Sequence, residues 1–299
     1  MRSKIPYTQA LGPPKCHPRI KATGSKTQRC LPGKLLGKLK AEMAEGIEGG
    51  LRQRQRQRQR QRRTQKQLAK AKCSPEDEHC LVEESTSLNP DQKKKILSTY
   101  FRPGRPDTWD KDPDMWLDNF NIEAVMKQYE DTNPHFKFFG VFPIDFSSKS
   151  PYANGEAECL MPEMCKISLT ELREKGYHCG GIVYNLDPHN KGGSHWISSV
   201  VLLGGKGNPL GERSGFYYFD SYGLPPPKQI KTFMENLTLQ DKDMELGYNG
   251  RRFQFGNSEC GMYCLFFIVC MLHGVQFKKF VHHPVSDAVM LQLRHWFFA

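Results

Sequence analysis

The run Met262-Tyr263-Cys264-Leu265-Phe266-Phe267-Ile268-Val269-Cys270-Met271-Leu272 contains no charged residue and no polar face. A helix that is apolar all round has to lie inside a molecule, so this run predicts a buried helix of about three turns at the centre of the fold. Gly274 is its C-terminal stop, and Cys260 falls in its first turn. There the free backbone N–H groups and the positive end of the helix dipole favour thiolate over thiol, which makes a cysteine nucleophilic. A buried free cysteine is otherwise most often a small hydrophobe. Other residues have to decide between the two readings.

Two upstream segments favour the nucleophile. In Lys191-Gly192-Gly193-Ser194-His195-Trp196, a glycine-rich turn delivers His195 to the start of a predicted strand running to Leu203. Gly215-Phe216-Tyr217-Tyr218-Phe219 predicts a second strand with Asp220 at its end. The chain order His195, Asp220, Gln254, Cys260 supplies the parts of thiol acyl transfer. His195 takes the thiol proton and later protonates a leaving amine, and Asp220 fixes the imidazole tautomer. Cys260 attacks, while the Gln254 amide and the Cys260 N–H hold the oxyanion. Singly, each residue has an ordinary alternative: a packed histidine, a turn-forming Asp, a strand glutamine. Their combination with the six-residue step from Gln254 to Cys260 is what points to catalysis.

His195-Trp196, Tyr218-Phe219-Asp220-Ser221, Gln254 and Glu259-Cys260-Gly261 together resemble the ubiquitin-like-protein-specific (SUMO) protease superfamily, which includes the adenovirus protease. Within it the pattern is similar to the divergent members from large DNA viruses, such as the polyprotein protease of African swine fever virus. Trp116-Leu117-Asp118-Asn119-Phe120 resembles the segment that opens the catalytic domain there, so the match runs from about Asp107 to the C-terminus. The resemblance implies a papain-like α+β fold with a central mixed β-sheet and the nucleophile at a helix N-terminus. It also implies that Trp196, Trp116 and Gly261 line a narrow channel for the thin Gly-Gly end of a substrate, since residues without Cβ let indole rings approach the backbone. Gly256 and Glu259 stand where the cellular enzymes usually carry Asn and Asp, which weakens deSUMOylation as the specific activity.

Charge divides the chain before any motif does. Residues 1–72 hold 20 basic and 3 acidic residues, a net of +17, whereas the remainder has a net of −6. Few aromatics, many Gly, Pro, Lys and Arg, and an Arg-Gln repeat without an apolar face predict a disordered basic tail over 1–72. A small helical arm is expected over 73–106, and the catalytic domain over 107–299. Arg52, Arg54, Arg56, Arg58, Arg60, Arg62 and Arg63 form a polybasic strip suited to non-specific phosphate contacts, with nucleic acid as the leading single partner. A nuclear-localisation patch, an acidic protein or a solvated linker are the competing readings. Ile47-Glu48-Gly49-Gly50-Leu51 has the aliphatic-x-Gly-Gly form cut by adenovirus-like proteases, which suggests trimming after Gly50 or inhibition by Gly49-Gly50 seated in the channel; Leu202-Leu203-Gly204-Gly205 fits the same form.

No apolar leader occupies the first residues, so a reducing compartment is expected, with Cys264 and Cys270, and likewise Cys159, Cys165 and Cys179, read as core thiols. Cys73 and Cys80 with His79 make a poor zinc signature, and neither metal nor cofactor is expected. The longest apolar run is too short to span a bilayer, so no membrane partner is expected. Further predicted elements are a helix from Asp114 to Tyr129 with a break near Asn121, and strands Phe136 to Phe142 and Gly181 to Leu186. Helices are expected from Ser168 to Gly176, Lys228 to Leu237 and Ser286 to Phe297.

The function expected from these readings is a cysteine endopeptidase that cuts Gly-Gly-X sites of a viral structural polyprotein during maturation, in the virion and host cytoplasm. Removal of a ubiquitin-like modifier is the alternative. Ser/Thr acetyl transfer with the same triad comes next, and the non-enzymatic rival is a nucleic-acid-binding packaging protein.

Overall fold

A computed structural model describes residues 5–21, 28–44, 73–149 and 159–299. In chain order its helices and strands are α1 (Thr8–Leu11), α2 (33–44), α3 (Glu78–Glu84), α4 (Pro90–Tyr100), α5 (Asn119–Thr132) and β1 (Phe136–Pro143). There follow α6 (Pro162–Cys165), α7 (Leu169–Glu174), β2 (Cys179–Asn185), β3 (Trp196–Leu202) and β4 (Gly215–Phe219). The C-terminal part adds α8 (Lys228–Thr238), β5 (Glu245–Tyr248), α9 (Cys260–Leu272), α10 (Phe277–His282) and α11 (Asp287–Phe297).

Every residue of α9 is buried, as its all-round apolar sequence demands. It lies against a five-stranded mixed sheet of order β1-β2-β3-β4-β5. β1 and β2 run parallel, β2, β3 and β4 antiparallel, and β4 and β5 parallel. The side-chain period of two divides each strand between two cores. Val183, Val200 and Phe219 face α9, while Ile182, Tyr184, Ile197, Val201, Phe216 and Tyr218 face α8 through Ile230, Phe233 and Leu237. Gly181 lets α9 approach the sheet closely, because a Cβ there would sit 2.9 Å from Ile268 Cγ2. The chain is thus α+β, with the apolar helix between the sheet and an outer layer that includes α5 and α11.

Two expectations change. The predicted helix from Asp114 starts only at Asn119, because Asp118 and Asn121 close a reciprocal capping box, Asn121 N to Asp118 Oδ1 at 2.7 Å and Asp118 N to Asn121 Oδ1 at 3.1 Å. The stretch 1–72, expected to be disordered throughout, is folded over 5–21 and 28–44. Leu11 enters the main core, and its carbonyl accepts from Tyr129 Oη (2.7 Å) and from the buried Arg102 (2.5 Å). Leu31, Leu36 and Leu39 join Leu81, Val82 and Phe101 in a separate small core. The arm expected from 73–106 is therefore built jointly with 28–44. The Glu42 carboxylate accepts from Ser85, Thr86 and Ser87, which outweighs the cost of its desolvation and holds its pKa down at about 2. Averaged composition hid this, since a few leucines suffice once a partner surface is supplied from about 50 residues downstream. The Arg-Gln strip and Gly49-Gly50 lie outside the described residues.

The cysteines also depart from expectation. Cys16–Cys30, Cys73–Cys80 and Cys159–Cys165 are disulfide-bonded, with Cα separations of 5.1, 5.7 and 6.4 Å. Cys159 and Cys165, expected as core thiols, are brought together by the turn into α6, and the Cys73–Cys80 pair closes the capped first turn of α3. Among the described residues no helix is long and apolar enough to cross a membrane.

Candidate active site

Antiparallel pairing of β3 with β4 puts the start of one beside the end of the other, with Ser198 opposite Phe219. His195, which precedes β3, and Asp220, which follows β4, therefore meet at one end of the sheet, Nε2 to Oδ1 at 2.7 Å. With Nε2 taken, Nδ1 is the nitrogen left for Cys260, to which His195 is also hydrogen-bonded. Cys260 opens α9 and is 2% exposed; His195 is 8% exposed and Asp220 1%. Burial works against a charged His195 ring, but the bonds to Asp220 and Cys260 and their charges outweigh it, so its pKa rises to about 9. Burial instead pushes the Cys179, Cys264 and Cys270 thiols up. Among the free cysteines, Cys260 is the one with a base beside it.

Gln254 is wholly buried in the loop before α9. Its N–H donates to Ser221 O (2.9 Å), its carbonyl accepts from Arg252 Nε (2.7 Å), and its Oε1 accepts from Ser221 Oγ (2.6 Å). Nε2 alone has no partner. A buried amide donor left unpaired is costly unless something else fills it, as a developing oxyanion would. The loop itself is clamped by Asp287, whose Oδ2 accepts from Phe255 N and Gly256 N, both at 2.9 Å, and whose Oδ1 accepts from Tyr263 Oη at 3.0 Å. Gln254→Ala is expected to lower kcat by about 10²–10³ while alkylation of Cys260 by iodoacetamide keeps its rate, because alkylation builds no oxyanion. A parallel fall in both rates would count against an oxyanion role.

The expected channel residues are only partly gathered. Trp196 is buried, its Nε1 donating to Leu117 O at 2.8 Å. Gly261 fits against both: a Cβ there would lie 3.1 Å from Leu117 Cβ and 3.3 Å from Trp196 Cδ1. Trp116 stands next to Leu117 but is 42% exposed, and among the described residues no ring contact joins it to Trp196.

No family model matches the chain. A thiol protease, so named, of Acanthamoeba polyphaga mimivirus is 29% identical over 229 residues, 74% of this chain and 68% of the relative. A cysteine protease of African swine fever virus (isolate Tick/Malawi/Lil 20-1/1983) is 26% identical over 187 residues, 60% of this chain and 66% of the relative. The chain is a cysteine protease similar to these viral enzymes. In another isolate of the same virus (Pig/Kenya/KEN-50/1950) the relative bears the name SUMO-1 cysteine protease, at 29% identity over 119 residues, 38% of this chain and 41% of the relative. A crystal structure of the African swine fever virus protease shares the fold, with a TM-score of 0.67 over 96% of both chains at 19% identity.

Several residues that shape this protease site escaped sequence reading. Asn249, fully buried, accepts from Asp220 N (2.9 Å) and donates to Asp220 O (2.6 Å), holding the acid at the strand end. Arg294 of α11 pairs with Glu259 directly before the nucleophile, Nη2 to Oε1 at 2.6 Å, donates to Met115 O at 2.7 Å, and lies over the Trp109 ring. Burial raises the Glu259 pKa although Arg294 opposes it. Arg294→Met strands a buried carboxylate and is expected to cost about 3–5 kcal/mol in urea unfolding, part of which returns in the double variant Glu259→Gln/Arg294→Met. The one sequence signal was Glu259 itself, an acid beside a buried helix that had to find a cation.

Proposed function

We propose that this protease is an endopeptidase that cuts after Gly-Gly in viral structural polyproteins during virion maturation, in the virion and the host cytoplasm. His195 takes the Cys260 proton, the thiolate attacks the scissile carbonyl, and the oxyanion sits between Gln254 Nε2 and the Cys260 N–H. Collapse of the tetrahedral adduct breaks the C–N bond as imidazolium His195 protonates the leaving amine. Water, activated by the now neutral ring, then hydrolyses the thioester and regenerates the thiol. The observation that carries the proposal is the unpartnered Nε2 of Gln254, a buried residue whose other polar groups are all hydrogen-bonded. In this reading Trp196, packed beside the nucleophile against Gly261, forms one wall of the channel for the Gly-Gly end. The Arg-Gln strip, in this reading, binds nucleic acid without sequence preference, with a log-log salt slope of roughly −6.

A second reading, removal of a ubiquitin-like modifier, is favoured by the name of the Pig/Kenya relative. No observation of the site favours acetyl transfer. Fluorogenic peptides ending in Gly-Gly, assayed beside a SUMO-Gly-Gly reporter, separate the first two. Cleavage of the short peptides is the expected result, and cleavage of the reporter alone would transfer the assignment to the isopeptidase.

A further inference from the structure

Beside the candidate triad stands a column of side chains that the proposed chemistry does not use. The His195 ring stacks on Tyr222, with centroids 4.7 Å apart and an interplanar angle of 24°. The Arg252 guanidinium lies over the Tyr222 ring at 5.2 Å and over the Phe255 ring at 5.0 Å. Phe255 is 73% exposed, so the column opens to solvent. Arg252 Nε is committed to Gln254 O, which orients the guanidinium and leaves both terminal nitrogens without a carboxylate among the described residues. Asp287 is engaged by Phe255 N, Gly256 N and Tyr263 Oη.

We propose that Arg252 binds a substrate carboxylate on the leaving side of the scissile bond, giving a preference for Asp or Glu within the first three residues after the cut. The proposal rests on the peptidase reading but not on Gly-Gly selectivity. The amine that departs must come within hydrogen-bond reach of His195 to be protonated, so the leaving segment starts beside that ring. Stacking distances of 4.7 and 5.2 Å put the guanidinium no more than about 10 Å from the His195 ring, which an extended chain covers in three residues at about 3.3 Å each. Held between two rings, the guanidinium has surrendered its rotamer freedom before substrate arrives and presents a planar fork suited to a carboxylate.

Digestion of an unbiased peptide library, with both new termini read by mass spectrometry, tests this apart from the Gly-Gly reading: residues before the cut report on Gly-Gly, residues after it on Arg252. Matched synthetic peptides are expected to show Asp or Glu favoured over Ser by about fivefold in kcat/KM at one leaving position, the upper range for an exposed ion pair, with Lys disfavoured. Arg252→Gln flattens that ratio and Arg252→Glu turns it toward Lys. Taking the ratio within each variant cancels any general loss from the missing bond to Gln254. Equal use of Asp, Ser and Lys, or an acid preference that persists in Arg252→Glu, overturns the proposal. Should no library peptide be cut, the ratio of Cys260 alkylation rates by iodoacetate and iodoacetamide replaces it. That ratio is expected to fall about twofold in Arg252→Gln, and an unchanged ratio overturns the proposal.

Discussion

Cys260→Ala lowers kcat/KM on any cleaved peptide by about 10⁶-fold, roughly 8 kcal/mol of transition-state stabilisation, and leaves the fold intact. The size of the effect follows from the absence of a substitute. Cys264 and Cys270 sit on the same helix, but burial pushes both thiols up and neither is hydrogen-bonded to His195. The side chain removed is small, so the loss is catalytic rather than structural, and the variant should unfold within about 1–2 kcal/mol of the parent. Turnover with equimolar enzyme, beside mass-spectrometric mapping of a single iodoacetamide adduct, measures both halves. A first adduct at Cys264, or residual turnover above about one part in a thousand, would remove Cys260 from the nucleophile role.

Asp220→Ala is expected to cost about 10³–10⁴-fold, because the acid both holds the His195 ring and favours its charge. Asp220 Oδ1 accepts from His195 Nε2 at 2.7 Å and from Tyr222 N at 2.9 Å, so alanine frees the imidazole and the turn that carries Tyr222. Asp220→Asn keeps an oxygen for both donors but removes the charge, so it is expected to cost a comparable factor while sparing the turn. The pH profile gives a sharper readout. His195 has its pKa raised to about 9, so its charged form persists to that pH and activity falls as the pH rises through it. Without the Asp220 charge this alkaline limb moves down. The linkage has the same sign: the imidazolium contributes stability that is fully present below its unfolded value near 6.5 and is lost as the pH climbs through about 9. An alkaline limb that stays in place in Asp220→Ala would show that another group sets it.

Local sequence carried a large share of the site because its parts sit at the ends of regular elements. A glycine-rich turn before β3, an acid after β4 and a cysteine at the head of an apolar helix can each be recognised within about ten residues, and antiparallel pairing then brings two of them together. Trp116 shows the limit. Its neighbour Leu117 makes the contact with Trp196, and no spacing rule distinguishes a residue that packs from the next one that faces solvent. The 1–72 segment shows another, since its leucines acquire a core only through residues 73–101.

By itself the sequence determined the central buried helix, the alternation of the sheet and the residue types of a thiol acyl-transfer site, because those depend on periodicity and on what a helix terminus does to a thiol. Tertiary structure alone decided the supports. Arg294 lies 35 residues from Glu259, Asn249 lies 29 from Asp220, and Asp287 lies 31 from Gly256. Such pairs form because a buried polar group must be satisfied by whatever the fold brings within hydrogen-bond reach. That demand is set by three-dimensional proximity, on which local patterns of the chain carry no information.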